Sequence, residues 1–155
     1  MDGSKNLSNM NLFAPVSSLM TDYKHLVTVG PEDHLSKVRE IFDNHTFHHI
    51  PVVNFREIVG IVSKTDFEHF VGGDGGDARL NQALVKDIMI KRLGKVDPDD
   101  RLNVVVDIFI LNRFHALPVV ENGDLVGIIT PFDILRALAE EKPAQPHMVY
   151  ETQQP

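Results

Sequence analysis

The sequence predicts an α+β fold in which two β-α-β-β-α repeats pack as a pseudo-twofold pair. The first observation behind this prediction is an internal repeat. Residues 28–67 align without a gap on residues 95–134, so that Pro31 falls on Pro98 and Asp66 on Asp133. The second observation is that both copies show the same succession of strand and helix patterns. Because there are two long copies rather than many short ones, a pair sharing a core is the natural assembly.

The first half of each copy predicts a strand followed by a helix. A short apolar strand covers residues 26–29 in the first copy and lies around Val96 in the second. Asp33 and Asp100 follow and are expected to cap the free amides of the next helix. Apolar residues then recur at helical spacing and, by the pseudo-twofold symmetry, are expected to face a shared core. These residues are Leu35, Val38 and Phe42 in the first copy, and Leu102, Val105 and Phe109 in the second.

The second half of each copy predicts a hairpin and a second helix. Strands are predicted over residues 50–53 and 58–63, and again over 117–120 and 125–130. The Asn122-Gly123 pair between the later two strands is a strong hairpin signal. A proline near the start of the first strand of each hairpin cannot donate to a ladder, so it belongs at a strand start or a bulge. A short helix is also predicted before each copy, in VSSLM and VKDIM.

These patterns divide the chain into five segments. They are an N-terminal tail over 1–12, a first repeat over 13–71, a linker over 72–82, a second repeat over 83–142 and a C-terminal tail over 143–155. The linker contains GGDGGD, which predicts flexibility from its composition. It lacks the Gly-Lys-Ser/Thr ending of a phosphate loop and the spacing of a calcium loop.

Composition excludes several classes of function. The net charge of −7 argues against a general nucleic-acid binder. The chain has no cysteine, no apolar run long enough to cross a bilayer and no signal-peptide pattern, so a cytoplasmic protein without a membrane segment is expected. His45, His48 and His49 cluster, but their spacing does not place a pair of ligands on one face, so no metal is expected. No catalytic motif is present, and no enzyme is predicted.

Two stretches carry a family resemblance. HIPVVNFREIVGIVSKTDF and HALPVVENGDLVGIITPFDIL each follow a VxxxM segment and a Pro-x-Asp-x-Leu helix start. This arrangement resembles the CBS domain family, and two repeats in tandem look like a Bateman module covering residues 16–139. The resemblance implies two small sheets with two clefts between the repeats, and adenosine nucleotides such as AMP, ADP or ATP bound there. It implies a free-standing, non-catalytic module that regulates an unidentified protein; the alternative is a ligand-free dimerisation or interaction domain.

The resemblance also points to a ligand motif, Gly-apolar-apolar-Ser/Thr-x-x-Asp, present in both copies. It ends in Ser63 and Asp66 in the first copy and in Thr130 and Asp133 in the second. Each carboxylate would accept hydrogen bonds from ribose hydroxyls, and each hydroxyl would meet a phosphate at a helix start. A hydroxyl followed three residues later by an acid also resembles a capping box, so pure helix capping remains the alternative. If both acids bind ribose, replacing either by asparagine should weaken nucleotide binding, with unequal affinities expected in the two clefts.

Further ligand contacts are implied beside this motif. Backbone groups before the strand prolines, at Ile50-Pro51 and Leu117-Pro118, are free to meet a purine edge. His48 and His115 are the candidate phosphate contacts nearest these strands. Other cations near cleft-facing segments are Lys24, His25, Lys64, Lys91, Arg92 and Arg113. For each of them, ordinary solvated surface is the competing interpretation.

The first helices of the two copies differ on their outer faces. At four equivalent positions the first copy has Lys37, Arg39, Asp43 and Asn44, whereas the second has Val104, Val106, Ile110 and Leu111. A helix that is apolar nearly all round is normally buried on more than one side. This predicts a homodimer through the helix from Arg101 to Arg113. The alternative is that the C-terminal tail, with Met148, Val149 and Tyr150, folds back over the face.

Overall fold

A computed structural model describes residues 10–141 and confirms the predicted α+β fold of two repeats. The predicted C-terminal tail lies outside the described residues, as does most of the N-terminal one. In chain order the elements are β1 (Thr21–Asp22), α1 (Leu35–Asn44), β2 (His49–Asn54), β3 (Glu57–Ser63), α2 (Lys64–Val71), α3 (Gly76–Gln82), α4 (Val85–Ile88), α5 (Leu102–Asn112), β4 (Leu117–Glu121), β5 (Asp124–Ile129) and α6 (Pro131–Glu141). Short 3-10 turns cover Val16–Ser18 and Tyr23–His25.

Each repeat is built around an antiparallel hairpin, β2-β3 in the first and β4-β5 in the second. In each hairpin the strand pairing has an irregularity just after the strand proline. It lies between Val52 and Val53 in the first repeat and between Val119 and Val120 in the second. The strands predicted to open the repeats are reduced to single parallel bridges, Val29 to Val52 and Val96 to Val119. In the second hairpin the Asn122-Gly123 turn has φ angles of 51° and 83°, which fits the predicted tight turn.

The segment that leads into each repeat packs on the other repeat. The Val16 amide donates to the Asp100 carbonyl at 2.7 Å, and the Val85 amide donates to the Asp33 carbonyl at 2.8 Å. In the same way β1 pairs with β5 of the second repeat, while Ile90 bridges to Ile61 of the first. The lead-in segments therefore cross between the repeats. The beginning of the predicted 13–71 unit packs on the second repeat rather than on its own.

This exchange corrects the predicted helix caps. The residue at the N-cap of α1 is His34 and that of α5 is Arg101, and neither makes a side-chain cap. The first amides of the two helices instead donate to carbonyls of the crossing segments, Leu35 to Ala83 and Leu102 to Ala14. Asp33 and Asp100 each close the preceding turn, accepting from the amide three residues earlier at 2.7 and 2.8 Å.

The glycine-rich linker contains a helix that its composition did not predict. Residues 76–82 form helix α3, which packs against α1 and α2. Gly75, with φ of 81°, starts the helix, and a Cβ on Gly76 would lie 2.2 Å from the Val71 carbonyl oxygen. Arg79 donates to the carbonyls of Phe70 and Gly72. Residues 76–82 are therefore helical within the predicted linker, and the glycines permit the tight turn that precedes this helix.

The described residues contain one apolar cluster per repeat and a smaller one between them. The two main clusters are related position by position, with Phe42 in the first and Phe109 in the second. The lead-in valines are exchanged, since Val85 lies in the first cluster and Val16 in the second. The repeats meet through a third cluster of Ile58, Ile61 and Leu125. The prediction that Phe42 and Phe109 face one shared core is therefore wrong, because each helix covers its own hairpin.

Candidate ligand-binding site

A cleft of about 1050 Å³ lies between the two repeats. Its walls include the ends of both Gly-apolar-apolar-Ser/Thr-x-x-Asp motifs, so the structure brings the two copies of this motif to one cleft. The predicted site residues that line the cleft are His48, Pro51, Ser63, Asp66, His115, Thr130 and Asp133. Among the described residues this is a single continuous space, whereas the resemblance implies two clefts.

Three predicted site residues do not line this cleft. Ile50 and Leu117 are fully buried, each in the apolar cluster of its own repeat. Pro118 is also buried, and its carbonyl accepts from the Val96 amide at 3.0 Å. The equivalent carbonyl of Pro51 accepts from Val29 at 3.1 Å. The two strand prolines thus use their carbonyls within the fold.

The motif of the first repeat leaves its carboxylate free. The Ser63 side chain caps α2, because its Oγ accepts from the Asp66 amide at 3.1 Å. The Asp66 side chain is exposed and makes no hydrogen bond or ion pair within residues 10–141. The hydroxyl therefore performs the capping that the sequence left open, while the carboxylate can still accept hydrogen bonds from a ligand.

The motif of the second repeat is arranged differently. Asp133 is only 7% exposed, and its Oδ2 accepts from the Thr130 amide at 2.8 Å and from the Thr130 hydroxyl at 3.2 Å. Its Oδ1 accepts from Arg136 at 3.1 Å. The guanidinium carbon of Arg136 also lies 5.7 Å from the ring centre of Phe132, which is exposed at the cleft wall. The second carboxylate is thus used inside the fold.

Seven titratable side chains of the cleft are basic and two are acidic, although the chain carries a net charge of −7 with histidine counted as neutral; the three arginines supply the fixed positive charge of the cleft. The basic residues on the walls are His25, His48, His49, Arg92, Arg113, His115 and Arg136, and the acidic ones are Asp66 and Asp133. Lys24, Lys64 and Lys91, which the sequence offered as candidates, do not line the cleft. A cleft of this charge is suited to an anionic ligand.

Two basic wall residues were not predicted from the sequence. Arg136 follows Asp133 by three residues on α6, and residues at this spacing share a helix face. That spacing was the available signal. His49 was considered only as a metal ligand, yet it begins β2 at the cleft and its ring lies 6.4 Å from that of His115, nearly parallel to it.

Burial lowers the pKa of His49, and the nearby imidazoles of His115 and His48 lower it further. The opposing influence of Asp66 is smaller. The neutral form of His49 is therefore favoured in the folded protein, whereas the unfolded chain takes up a proton near its ordinary value of 6.5.

This difference predicts that His49 makes stability depend on pH. The depressed pKa means that the unfolded state binds more protons, so the contribution is present above pH 6.5 and is lost as the pH falls toward the folded-state value. We expect the unfolding free energy of His49→Gln to decline less than that of the wild type between pH 7 and pH 5. Urea denaturation across this range measures the slope, with His45→Gln as control for the loss of an imidazole. Equal slopes in the wild type and His49→Gln would contradict the assignment.

Apolar surface completes the cleft. Phe47 and Phe114 occupy equivalent positions in the two repeats and both line the cleft, with Ile61, Leu93 and Ile128 between the charged groups. Aromatic and aliphatic walls with a few polar groups are typical of small-molecule sites. The cleft therefore combines faces for a planar ring, a free carboxylate and several cations.

Other kinds of site have less support in residues 10–141. Histidine and carboxylate side chains in this part of the chain form no group of three placed to hold a metal ion. No helix in the same region is long and apolar enough to cross a membrane.

Comparison with known proteins identifies the family. Residues 16–73 and 85–140 each match the family model of the CBS domain. An uncharacterized protein of Methanocaldococcus jannaschii is 28% identical over 134 residues, which cover 79% of this chain and 48% of that protein. Inosine-5′-monophosphate dehydrogenase of Korarchaeum cryptofilum is 32% identical over 112 residues, which cover 72% of this chain and 22% of the dehydrogenase. The chain thus spans about half or less of the length of these relatives.

Solved structures share the fold. CBSX2 in complex with AMP matches with a TM-score of 0.73 and 23% identity, over 84% of this chain and 99% of that one. The CBS domain of the bacterial CNNM/CorC family Mg²⁺ transporter in complex with ATP matches with a TM-score of 0.72 and 20% identity, over 83% of this chain and 89% of that one. With both repeats matched by the family model and the fold shared with these structures, the chain belongs to the CBS domain family and contains two consecutive copies.

Proposed function

We propose that this CBS pair is a non-catalytic regulatory module that senses an adenosine nucleotide, AMP, ADP or ATP, in the cleft between its repeats. The observation that carries the proposal is the cleft itself. It holds about 1050 Å³, enough for a nucleotide, and joins both copies of the motif to a surplus of basic side chains. The partner that reads the bound state is a separate protein or a further segment.

Each part of a nucleotide has a matching feature on the walls. The free carboxylate of Asp66 can accept from both ribose hydroxyls. Arg92, Arg113 and Arg136 offer guanidinium groups suited to phosphate oxygens. Phe47 and Phe114 offer ring faces for a purine. The AMP and ATP complexes of two proteins with the same fold support this class of ligand.

The test is nucleotide binding with a matched pair of variants. A thermal-shift screen against AMP, ADP, ATP, S-adenosylmethionine, NAD and cyclic dinucleotides selects the ligand, and titration calorimetry measures its affinity. Asp66→Asn should cost about 1.5–3 kcal/mol of binding free energy, because a charged acceptor is lost. Glu68→Gln, an exposed acid of the same helix that does not line the cleft, should bind as the wild type does. A protein that binds none of these compounds would support the ligand-free interaction domain instead.

A second observation favours self-association in addition to ligand binding. On α5, Val104, Ile110 and Leu111 are 43%, 69% and 79% exposed. Phe132 and Leu135 of α6, in the same repeat, are 66% and 61% exposed. We name the three residues of α5 the apolar face. Contiguous apolar surface usually marks an interface, so this face is proposed as the seam of a homodimer.

The corresponding surface of the first repeat is polar. Lys37, Asp43 and Asn44 occupy the positions of Val104, Ile110 and Leu111, and Thr65 and Glu68 those of Phe132 and Leu135. The predicted fourth apolar position, Val106, is only partly exposed because it packs against the cluster of its own repeat. The proposed seam therefore lies on α5 of the second repeat.

A further inference from the structure

We infer that the cleft binds one nucleotide per chain in a single orientation, with the ribose at Asp66 and the phosphates at Arg136, while Asp133 positions Arg136. The inference rests on the proposed function and adds stoichiometry, orientation and a preference for a polyphosphate ligand. It departs from the expectation that both motif carboxylates bind ribose.

The two carboxylates differ in what they still have to offer. Asp66 is exposed and has no partner within residues 10–141. Asp133 is 7% exposed and already accepts from the Thr130 amide, the Thr130 hydroxyl and Arg136. A ribose at Asp133 would have to reach a buried carboxylate with about one acceptor position left, or displace bonds to a buried charge, which are costly to break. One ribose position per chain follows from this difference.

The basic groups differ between the repeats in the opposite sense. Arg113 and Arg136 of the second repeat line the cleft, and the equivalent positions of the first repeat hold Thr46 and His69. Thr46 lines the cleft without charge, whereas His69 does not line it. The lowered pKa of His49 favours its neutral form on the side of the first repeat. At these equivalent positions the permanent positive charge therefore lies in the second repeat, whereas the free carboxylate lies in the first. Arg92, whose segment packs on the first repeat, is the other arginine on the cleft walls.

The guanidinium of Arg136 is held by neighbouring side chains in a way that suits a phosphate contact. One terminal nitrogen donates to Asp133 at 3.1 Å, and the guanidinium lies against the Phe132 ring. The side chain remains 54% exposed, so other N–H groups are free to donate. A guanidinium held in place can bind phosphate oxygens through two parallel hydrogen bonds with little loss of side-chain entropy. Asp133 is thus a positioning residue for this contact.

The test compares three ligands on five proteins by titration calorimetry. The ligands are ATP, AMP and 2′-deoxy-ATP, and the proteins are the wild type, Asp66→Asn, Asp133→Asn, Arg136→Gln and His69→Gln. The preference for ATP over 2′-deoxy-ATP reports the ribose contact, and the preference for ATP over AMP reports the phosphate contact. Ratios of affinities within one variant are insensitive to a general loss of stability. His69→Gln is the control, because His69 is the counterpart of Arg136 in the first repeat.

We expect the wild type to bind one ATP per chain and to prefer it over both analogues. Asp66→Asn should lose the ribose preference, whereas Arg136→Gln should keep it and lose about tenfold of the phosphate preference. Asp133→Asn should behave like Arg136→Gln, and His69→Gln like the wild type. If Asp133→Asn does not fold, the two ratios of Arg136→Gln decide the assignment.

Three results would overturn the inference alone while leaving nucleotide sensing intact. They are two equivalents of ATP per chain, loss of the ribose preference in Asp133→Asn, and an unchanged ATP-to-AMP ratio in Arg136→Gln. A wild type that binds none of the three ligands would overturn the proposed function and the inference together.

Discussion

Truncating Phe42 or Phe109 to alanine is expected to lower the free energy of unfolding by about 3–5 kcal/mol. Phe42 is 4% exposed and Phe109 is 9% exposed, and each lies between a helix and the hairpin of its own repeat. Removing either ring loses its transfer free energy and leaves a cavity. Phe42→Ala should have the larger effect, because its ring also packs at 5.6 Å against the ring of Phe67.

Urea denaturation of the single and double variants measures both the size and the coupling of these effects. Because Phe42 and Phe109 lie in different clusters, their losses should add within about 0.5 kcal/mol. Glu40→Ala, at an exposed position on α1 near Phe42, is the control and should change stability by less than about 0.5 kcal/mol. Near-wild-type stability of the single variants would contradict the assignment of Phe42 and Phe109 to the buried faces of their helices. A strong coupling between the two substitutions would indicate that both rings lie in one shared core, as the sequence predicted.

The order of helices and strands could be predicted because both repeats carry the same sequence pattern. The same apolar spacing recurs at Leu35 and Leu102, and the same hairpin chemistry recurs after the strand prolines. A pattern shared by two copies is more reliable than a pattern in one, because chance features of one copy do not recur in the other. The helices that begin after Ser63 and Thr130 were placed correctly for this reason.

The exchange of the lead-in segments could not be predicted in the same way. Val16 and Val85 match each other in sequence, and this match is compatible with packing on their own repeat or on the other one. The choice depends on the path of the chain in space rather than on periodicity. The Asp33 and Asp100 caps were wrong as a consequence, because the crossing segments already bind the helix amides.

The sequence predicted ribose binding at both motif carboxylates with unequal affinities, and the difference between the two carboxylates comes from residues outside the motif. Ser63 with Asp66 and Thr130 with Asp133 read alike in sequence, yet only the second carboxylate has an arginine three residues further on. In the first repeat that position is His69. The motif could therefore locate the cleft, whereas the state of each carboxylate depended on a neighbouring turn of helix.

Replacing Ile110 and Leu111 together by glutamate is expected to convert a homodimer into a folded monomer. These side chains belong to the proposed seam and are 69% and 79% exposed, and they are free of the intramolecular packing that holds Val106. Two carboxylates per chain would have to lose water on association, which should weaken the dimer by at least about a hundredfold. Light scattering across a dilution series measures the mass, and circular dichroism checks the fold.

The matched control is Asp43→Glu with Asn44→Glu, which places the same two glutamates at the equivalent positions of α1. This variant should remain dimeric, because the outer face of α1 is already polar. A dimer that persists in the Ile110 and Leu111 variant would place the seam elsewhere, and a monomeric wild type would contradict the proposed dimer.

Truncation after Glu141 tests the competing explanation, in which the C-terminal tail covers the apolar face. If residues 143–155 cover the apolar face, the truncated chain should self-associate where the full chain does not, because the same aliphatic surface would be newly exposed to water.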